Sequence, residues 1–479
     1  MKRLRNIIDG TPAEAANPQW RDVVNPATER VVAQIPVGSA ADAAAAVESA
    51  RRAHPAWARL DLADRLAHLS RIADNLERHV RELAELENEE MGKPIPLAEQ
   101  FIAGGIAALR HNIERARSYP FIADVTAPGE SGRTIVVREP VGVVGLIVPW
   151  NFTVTSILGA LGPLLAAGNT VVIKPSEKAP LSAARLIELF ELPPGVTNLL
   201  LGDARAGKPL AEHKDVKLLH FTGSVEAGRS VGTAAAARIQ RAVLELGGND
   251  PVLVDADVDV AATAKAVATS TFINSGQICT SSERIYVHRA VADEFIAALV
   301  AEAKTWTMSD NPYAQGLGPL VDDTQRAIVR AHVRDAVDRG ATVLCGGEQP
   351  DRPGYFYPAT VLTGLTSDMR IMKEETFGPV APVTVVDSFA DAIDLANATS
   401  FGLAATVYSS NPENLRRCTE INAALVWINE WQHGGVNTIH EPWGLSGMGA
   451  SGAAASFDAA TRPMSMLYSS TTNVPSARI

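Results

Sequence analysis

From residue 134 onward the sequence alternates short β-branched runs with stretches of helical length, and that alternation leaves few folds open. TIVVREPVGVVGLIVP, NTVVIKP, VTNLLLG, VKLLHFTGS and RAVLELGG read as strands, with helices predicted over LSAARLIELFEL (181–192) and EAGRSVGTAAAARI (226–239). Strands that are apolar along their whole length belong to a parallel sheet covered by helices on both faces. A second series starts at DPVLVDADVDV (250–260) and runs through AATAKAVATSTFI, RIYVHR and VADEFIAALVAEAK to AALVWIN (423–429), predicting a second α/β unit. Ahead of both, residues 41–117 carry apolar positions at three- and four-residue spacing with charged faces between them, the pattern of amphipathic helices. The stretch after 440 is rich in Gly, Ser and Ala and ends in MSMLYSSTT, which predicts an edge strand pairing with another element or another chain. At 479 residues the chain exceeds one ordinary core, and two or three domains are expected.

Charge and cysteine content narrow the function classes. A net charge of −11 argues against nucleic acid or an anionic membrane as partner. Cysteines at 279, 345 and 418 are too few and too scattered for a disulfide framework or a metal site, so no metal is expected and a reducing compartment is. MKRLRNIIDG is basic but no apolar segment follows it, and the runs 141–150 and 157–168 are too short to span a bilayer. The expectation is a cytoplasmic protein.

Five short segments carry candidate chemistry. In FTGSVEAG (221–228) a Gly-Ser turn opens a helix after a strand. Gly223, Ser224 and Gly228 then leave backbone N–H groups and a positive helix end for a phosphate; the plainer reading is a Ser N-cap with a packing glycine. KPSE (174–177) puts Lys174 and Glu177 at the C-terminal end of a strand, where open α/β sheets bind ligands. A glutamate there accepts both ribose hydroxyls and repels a 2′-phosphate, while the alternative is a pair of solvated loop charges. Glu245 ends an apolar strand and precedes two glycines, as a carboxylate near a ligand or one accepting loop amides. Asn151, after Pro-Trp150, offers a donor for a developing oxyanion or a cap for the helix beginning TVTSILGAL. Cys279 stands apart from Cys345 and Cys418, which read as inert core residues. Gly276 and Gln277 break the apolar pattern before it and polar TSSER follows, which predicts an exposed thiol with its thiolate favoured.

In their order and number these segments resemble the aldehyde dehydrogenase family over nearly the whole chain. The resemblance rests on VVNPATERVVAQIP, PWNF, KPSE, FTGSVEAG, ELGG, FINSGQICTSSER (272–284), EETFGPV (374–380) and FGLAATVY (401–408). It implies a Rossmann-like cofactor domain (1–118 and 140–246), an α/β catalytic domain (247–440) and a small β oligomerisation arm (119–139 and 455–479), in a homodimer or homotetramer. It implies that Cys279 attacks an aldehyde, that Glu245 is the base for the hydrolytic water, and that the Asn151 side chain and the Cys279 N–H hold the oxyanion. Lys174 and Glu177 would hold the adenine ribose, Ser224 with Gly223 and Gly228 the pyrophosphate, and Glu375 and Phe377, near Trp150, the nicotinamide riboside. NAD is expected, with NADP less favoured because of Glu177.

Departures from the family pattern bear on substrate. EPWGLSGMGASG (441–452) lacks the Lys and the Arg-Glu usual in that segment, and Ala160 stands where Lys is usual. These changes are expected not to touch the catalytic set. Gly159 replaces the Arg or aromatic of several relatives, which predicts a wider tunnel. Val154, Thr155, Gly159, Ile278, Thr280, Glu430, Trp431 and Trp443 are expected around its entrance, suiting an uncharged aromatic, branched or small hydroxy aldehyde. The alternatives are a semialdehyde or amino-aldehyde substrate, acyl transfer to coenzyme A, and a catalytically silent structural member.

Overall fold

The computed structural model describes residues 2–17, 19–435 and 437–470. Four helices, Ala40–Arg59, Leu62–Glu77, Val80–Met91 and Ile95–Ser118, account for the amphipathic stretch read at 41–117. Their buried faces join one large core with strand residues such as Val144, Leu146 and Ile173.

Two sheets form the body of the molecule. In the eight-stranded sheet the parallel strands run Arg241–Glu245, Val216–Thr222, Val143–Val148, Thr170–Pro175, Thr197–Leu199 in spatial order. Chain order reverses between Val143–Val148 and Val216–Thr222, so a crevice opens beyond their carboxyl ends, where open α/β sheets take ligands. The six residues of Val143–Val148 are all buried, as continuous apolar strands require. Short antiparallel strands close both edges: Asn6–Ile8 and Thr11–Ala13 at one, Gly447–Met448 against Leu244 and Glu245 at the other. The seven-stranded sheet contains parallel Thr360–Thr363, Val380–Val386, Ser282–His288, Asp250–Val254, Ala404–Tyr408 and Leu425–Ile428.

A third sheet of three antiparallel strands has Arg133–Pro140 in its middle and Ile122–Asp124 and Thr461–Tyr468 at its edges. The run TIVVREPVGVVGLIVP therefore splits. Its first half enters this sheet and its second the large one, with the chain turning at Gly142 (φ +125°). The predicted helix at 181–192 stops at Glu188, because Glu191 adopts φ +45° and Pro193 and Pro194 follow. Residues 471–479 of the expected arm lie outside the described residues.

Candidate active site

The segment before Cys279 is locked into a conformation that few sequences tolerate. The helix Val260–Phe272 ends, and Asn274, Ser275 and Gly276 take φ of +53°, +57° and +70°. A Cβ on Gly276 would lie 2.2 Å from the Gly378 carbonyl oxygen, so only glycine fits. Buried side chains hold the turn. Ser275 Oγ donates to the Gly318 carbonyl at 2.8 Å, and Gln277 donates to the Asn274 carbonyl at 3.1 Å while accepting from the Val321 N–H at 2.9 Å.

The polar run after the cysteine is not exposed, contrary to its composition. Ser281, Ser282, Glu283 and Arg284 are all buried. Each is satisfied internally, as buried polar groups must be. Ser282 pairs with Ser270, Ser281 donates to the Ser270 carbonyl, and Arg284 donates to the carbonyls of Asn249, Leu395 and Ala396. Glu283 accepts from the Thr376 and Phe377 N–H groups and from Asn249, and so ties the EETFGPV loop to the cysteine segment.

The Cys279 thiol is half-buried, not exposed. Burial pushes its pKa up, and the negative charges of Glu375, Asp250 and Glu245 push it further. The expectation of a favoured thiolate is thereby corrected: without a cationic partner the resting form is the thiol, and it needs a base. Cys418 is buried in the second sheet's core, and Cys345 is half-buried with its Sγ 3.9 Å from the Ala359 carbonyl.

Asn151 does not cap the following helix. The N-cap of Thr153–Ala166 is Phe152, which supplies no side-chain bond, and Asn151 Nδ2 donates instead to the Gln277 carbonyl at 3.0 Å. One N–H of that amide is used, on the residue two before Cys279, and a second remains. The ELGG turn closes on the same point, since a Cβ on Gly248 would lie 2.4 Å from the Cys279 carbonyl oxygen. Glu245 itself is raised to about 7 by burial, against the opposing hydrogen bond from Ser451. Ser451 Oγ donates to Oε1 at 2.7 Å, and His440 Nδ1 lies 3.2 Å from Oε2. The altered 441–452 segment therefore does touch the catalytic candidates, because its short strand pairs with the end of the strand that carries Glu245.

The cofactor candidates gather around the crevice of the first sheet. Trp150 and Gly223 follow the two strands that flank the reversal, Val143–Val148 and Val216–Thr222. Ser224 N-caps the helix Val225–Ala237 by accepting from the Ala227 N–H, and Gly228 packs so tightly on Leu246 that a Cβ would lie 2.3 Å from its Cδ2. Lys174 is buried, donates one of its three N–H groups to the Pro175 carbonyl at 2.8 Å and stands 4.0 Å from Glu177. Burial lowers its pKa while Glu177 and Asp203 oppose that shift. The pair is thus a buried cation beside a half-exposed carboxylate at a strand's end, not two solvated loop charges. A buried ammonium with further donors and a free-edged carboxylate fits a ligand bearing adjacent hydroxyls, and a capped helix start fits its phosphates. Glu375 accepts from the Gly248 N–H at 2.9 Å and is pushed up by burial and by Glu283. Phe377, at φ +51°, meets Trp150 edge-on with centroids 5.5 Å apart.

Two of the residues expected at a substrate entrance are buried. Val154 has 0% exposure and faces the helical core, and Ile278 has 3%. The helical period explains Val154: Val154, Ile157, Leu158 and Leu161 turn inward, while Thr155 and Gly159 lie on the more open face. A Cβ on Gly159 would meet nothing within 4 Å. Trp431 is half-buried and donates its indole N–H to the Thr280 carbonyl at 2.9 Å. Glu430 is exposed, 3.2 Å from His433, and Trp443 is 65% exposed on a strand paired with Phe401–Gly402.

The family model described as "Aldehyde dehydrogenase family" matches residues 13–466. The chain belongs to the aldehyde dehydrogenase family. It is 37% identical over 451 residues to the lactaldehyde dehydrogenase of Escherichia coli (strain K12), covering 92% of this chain and 94% of that protein. It is 34% identical over 456 residues to the betaine aldehyde dehydrogenase of Bacillus subtilis (strain 168), covering 91% of each. The solved indole-3-acetaldehyde dehydrogenase in complex with NAD+ superposes with a TM-score of 0.94 at 36% identity, covering 98% of this chain and 97% of that one.

For this aldehyde dehydrogenase, three residues of the site escape a reading of the sequence. Glu283 looks like solvated charge, and its signal is that it opens a strand, Ser282–His288, whose residues through Val287 are all buried. His440 and Ser451 have no local signal, because their contact to Glu245 spans about two hundred residues. Among the described residues no helix is long and apolar enough to cross a membrane, and no group of three His, Cys, Asp or Glu could hold a metal ion.

Proposed function

We propose that this protein oxidises an aldehyde to its carboxylic acid with NAD, through a thioester on Cys279. The observation that carries the reading is the hydrogen bond of 3.0 Å from Asn151 to Gln277, which ties a side-chain amide with a second N–H to the residue two before Cys279. Glu245, with a pKa near 7, accepts the thiol proton, and Sγ adds to the carbonyl carbon of the aldehyde. The oxygen becomes an anion held by the second Asn151 N–H and the Cys279 N–H. When bound, NAD+ is the acceptor of the hydride that leaves the thiohemiacetal carbon. Glu245 releases the thiol proton to solvent, and the regenerated carboxylate then takes a proton from water as the water oxygen adds to the thioester carbon. The C–S bond breaks, the acid leaves, and the sulfur regains a proton.

Lys174 and Glu177 would hold the adenine ribose, Gly223, Ser224 and Gly228 the pyrophosphate, and Glu375 and Phe377 beside Trp150 the nicotinamide riboside. The Glu177 carboxylate disfavours a 2′-phosphate, which selects NAD over NADP. The substrate class is an uncharged aromatic, branched or small hydroxy aldehyde. Supporting it are the open space at Gly159 and the absence of a charged side chain at that position. The similar enzymes named for lactaldehyde and indole-3-acetaldehyde fall within that class. The proposed domains are 1–118 with 140–246, 247–440, and the arm at 119–139 and 455–479. The arm would join two or four copies through the edge strand Thr461–Tyr468, where Leu467 is 79% and Met464 41% exposed.

The test is reduced-cofactor absorbance with benzaldehyde, hexanal, lactaldehyde, aminobutyraldehyde and succinate semialdehyde. Cys279→Ala should abolish the signal; an undiminished rate in that variant ends the proposal. Strong preference for succinate semialdehyde would overturn the substrate class, and an acyl-CoA product in the presence of coenzyme A would overturn hydrolysis.

A further inference from the structure

Glu245 is reached from a loop that has no counterpart in its own strand's neighbourhood of sequence. The chain from 440 to 452 folds back as a hairpin over the end of Arg241–Glu245, with Gly447 opposite Glu245 and Met448 opposite Leu244. His440 and Ser451 close the hairpin by reciprocal backbone bonds, the His440 N–H to the Ser451 carbonyl at 2.8 Å and the Ser451 N–H to the His440 carbonyl at 2.7 Å. Both side chains of this one bridge then meet Glu245, Ser451 at Oε1 and His440 at Oε2. The imidazole is largely buried, and burial lowers its pKa, so it stands beside the carboxylate as a neutral ring near neutral pH. Its other nitrogen, Nε2, is buried with no hydrogen-bond partner, as is Nδ1 of His220 on the adjacent strand. His220, Ser451 and Ser456 line one small cavity behind this hairpin, next to Ala160.

We propose that His440 and Ser451 are positioning residues for Glu245, each holding one carboxylate oxygen so that the anion survives burial and stays aimed at the reacting water. This deepens the proposed function and rests on it for the identity of the water. A carboxylate buried with neither partner keeps its proton to higher pH, since only desolvation would then act on it. The Ser451 hydroxyl supplies a hydrogen bond at Oε1, and the neutral imidazole stands 3.2 Å from Oε2 without adding a counter-charge. The titratable groups facing Glu245 are His440 from the hairpin and the Cys279 thiol across the site, with Glu375 and Asp250 acting on that same thiol. Ser451 within 441–452 and His440 immediately before that segment thus bring a hydroxyl and an imidazole to Glu245, while position 160 is Ala.

The experiment reads Glu245 ionisation in two ways. The first is the pH dependence of Cys279 alkylation by iodoacetamide, which needs no aldehyde and no turnover. The wild-type profile should contain a step near pH 7 that Glu245→Gln lacks. His440→Leu and Ser451→Ala should each move that step up by about one pH unit, a roughly tenfold change in proton affinity. His440→Asn, which keeps a donor near the Nδ1 position, should return it toward the wild-type value. The second is the pH profile of steady-state oxidation, whose acid limb should move with the alkylation step. If the step stays in place in His440→Leu and Ser451→Ala, the inference is wrong even when wild-type enzyme oxidises aldehydes. If His440→Asn shifts as far as His440→Leu, the imidazole's donor is not what acts, and the inference is wrong as well. Loss of turnover with the steps shifted as described would instead fault the assigned reaction. Ser451→Ala keeps the question open to measurement should His440→Leu fail to fold.

Discussion

The side-chain amide of Asn151 donates to the carbonyl of Gln277 across 126 residues of sequence, joining the end of a strand in one sheet to the turn that presents Cys279 from the other. That bond fixes both the donor and the nucleophile. Asn151→Ala should lower kcat by about 10²–10³-fold, the cost of one oxyanion donor. KM should change much less. Steady-state kinetics on folded protein checks this, and a change confined to KM would contradict it.

As the proposed base, Glu245 would tie the reaction to pH. Its pKa is raised to about 7 by burial, so its basic form is lost as pH falls below that value and gained as pH rises above it. Thioester hydrolysis should therefore decline by roughly tenfold per unit on the acid side and level off on the alkaline side. Glu245→Gln should remove the limb and slow hydrolysis more than the first burst of reduced cofactor. Stopped-flow absorbance across pH 5 to 9 separates the two phases.

Gly276→Ala should be strongly destabilising. A left-handed backbone costs a non-glycine residue roughly 1–2 kcal/mol, and the added methyl would sit 2.2 Å from the Gly378 oxygen. Together these predict a loss of about 3 kcal/mol or more. A denaturant midpoint equal to that of the wild type would refute the packing argument.

Glu283 is predicted to matter though it touches no reacting atom. Glu283→Gln puts an NH2 group against the N–H groups of Thr376 and Phe377, which now donate to the carboxylate. Leaving buried donors unmet costs about 1–3 kcal/mol. The loop carrying Glu375 and Phe377 should loosen, and NAD affinity should fall with it. Cofactor titration by fluorescence measures the change.

On the proposed ribose assignment, cofactor choice would follow Glu177. kcat/KM with NAD should exceed that with NADP, and Glu177→Gln should narrow the ratio by relieving repulsion of the 2′-phosphate. Equal efficiency of the wild type with both cofactors would count against the ribose assignment.

The fold was largely legible because strand and helix periods differ and the apolar runs are long. The breaks were less so: TIVVREPVGVVGLIVP reads as one run, though Arg138, Glu139 and Pro140 interrupt its apolar pattern just before Gly142, where the chain passes from one sheet to another. At the site, motif residues such as Asn151, Glu245 and Cys279 could be picked out from local sequence. Their environment could not. TSSER reads as exposed because its polar atoms find partners, Ser270, Asn249, Thr376 and Phe377, that lie 11 to 94 positions away. The cap reading of Asn151 failed for the same reason, since a distant carbonyl competes for its amide. His440 and Ser451 were invisible because hairpin geometry, not composition, delivers them to Glu245.

Beyond Ser451 the chain runs through the short helix Ala455–Ala460 straight into the outer strand Thr461–Tyr468. Phe457 is fully buried against the helical core and anchors this connection. A displacement of the outer strand would be passed along it to the hydroxyl that steadies Glu245. On the proposed assignment, whatever clamps that strand from outside would act as a tuning peg for the base.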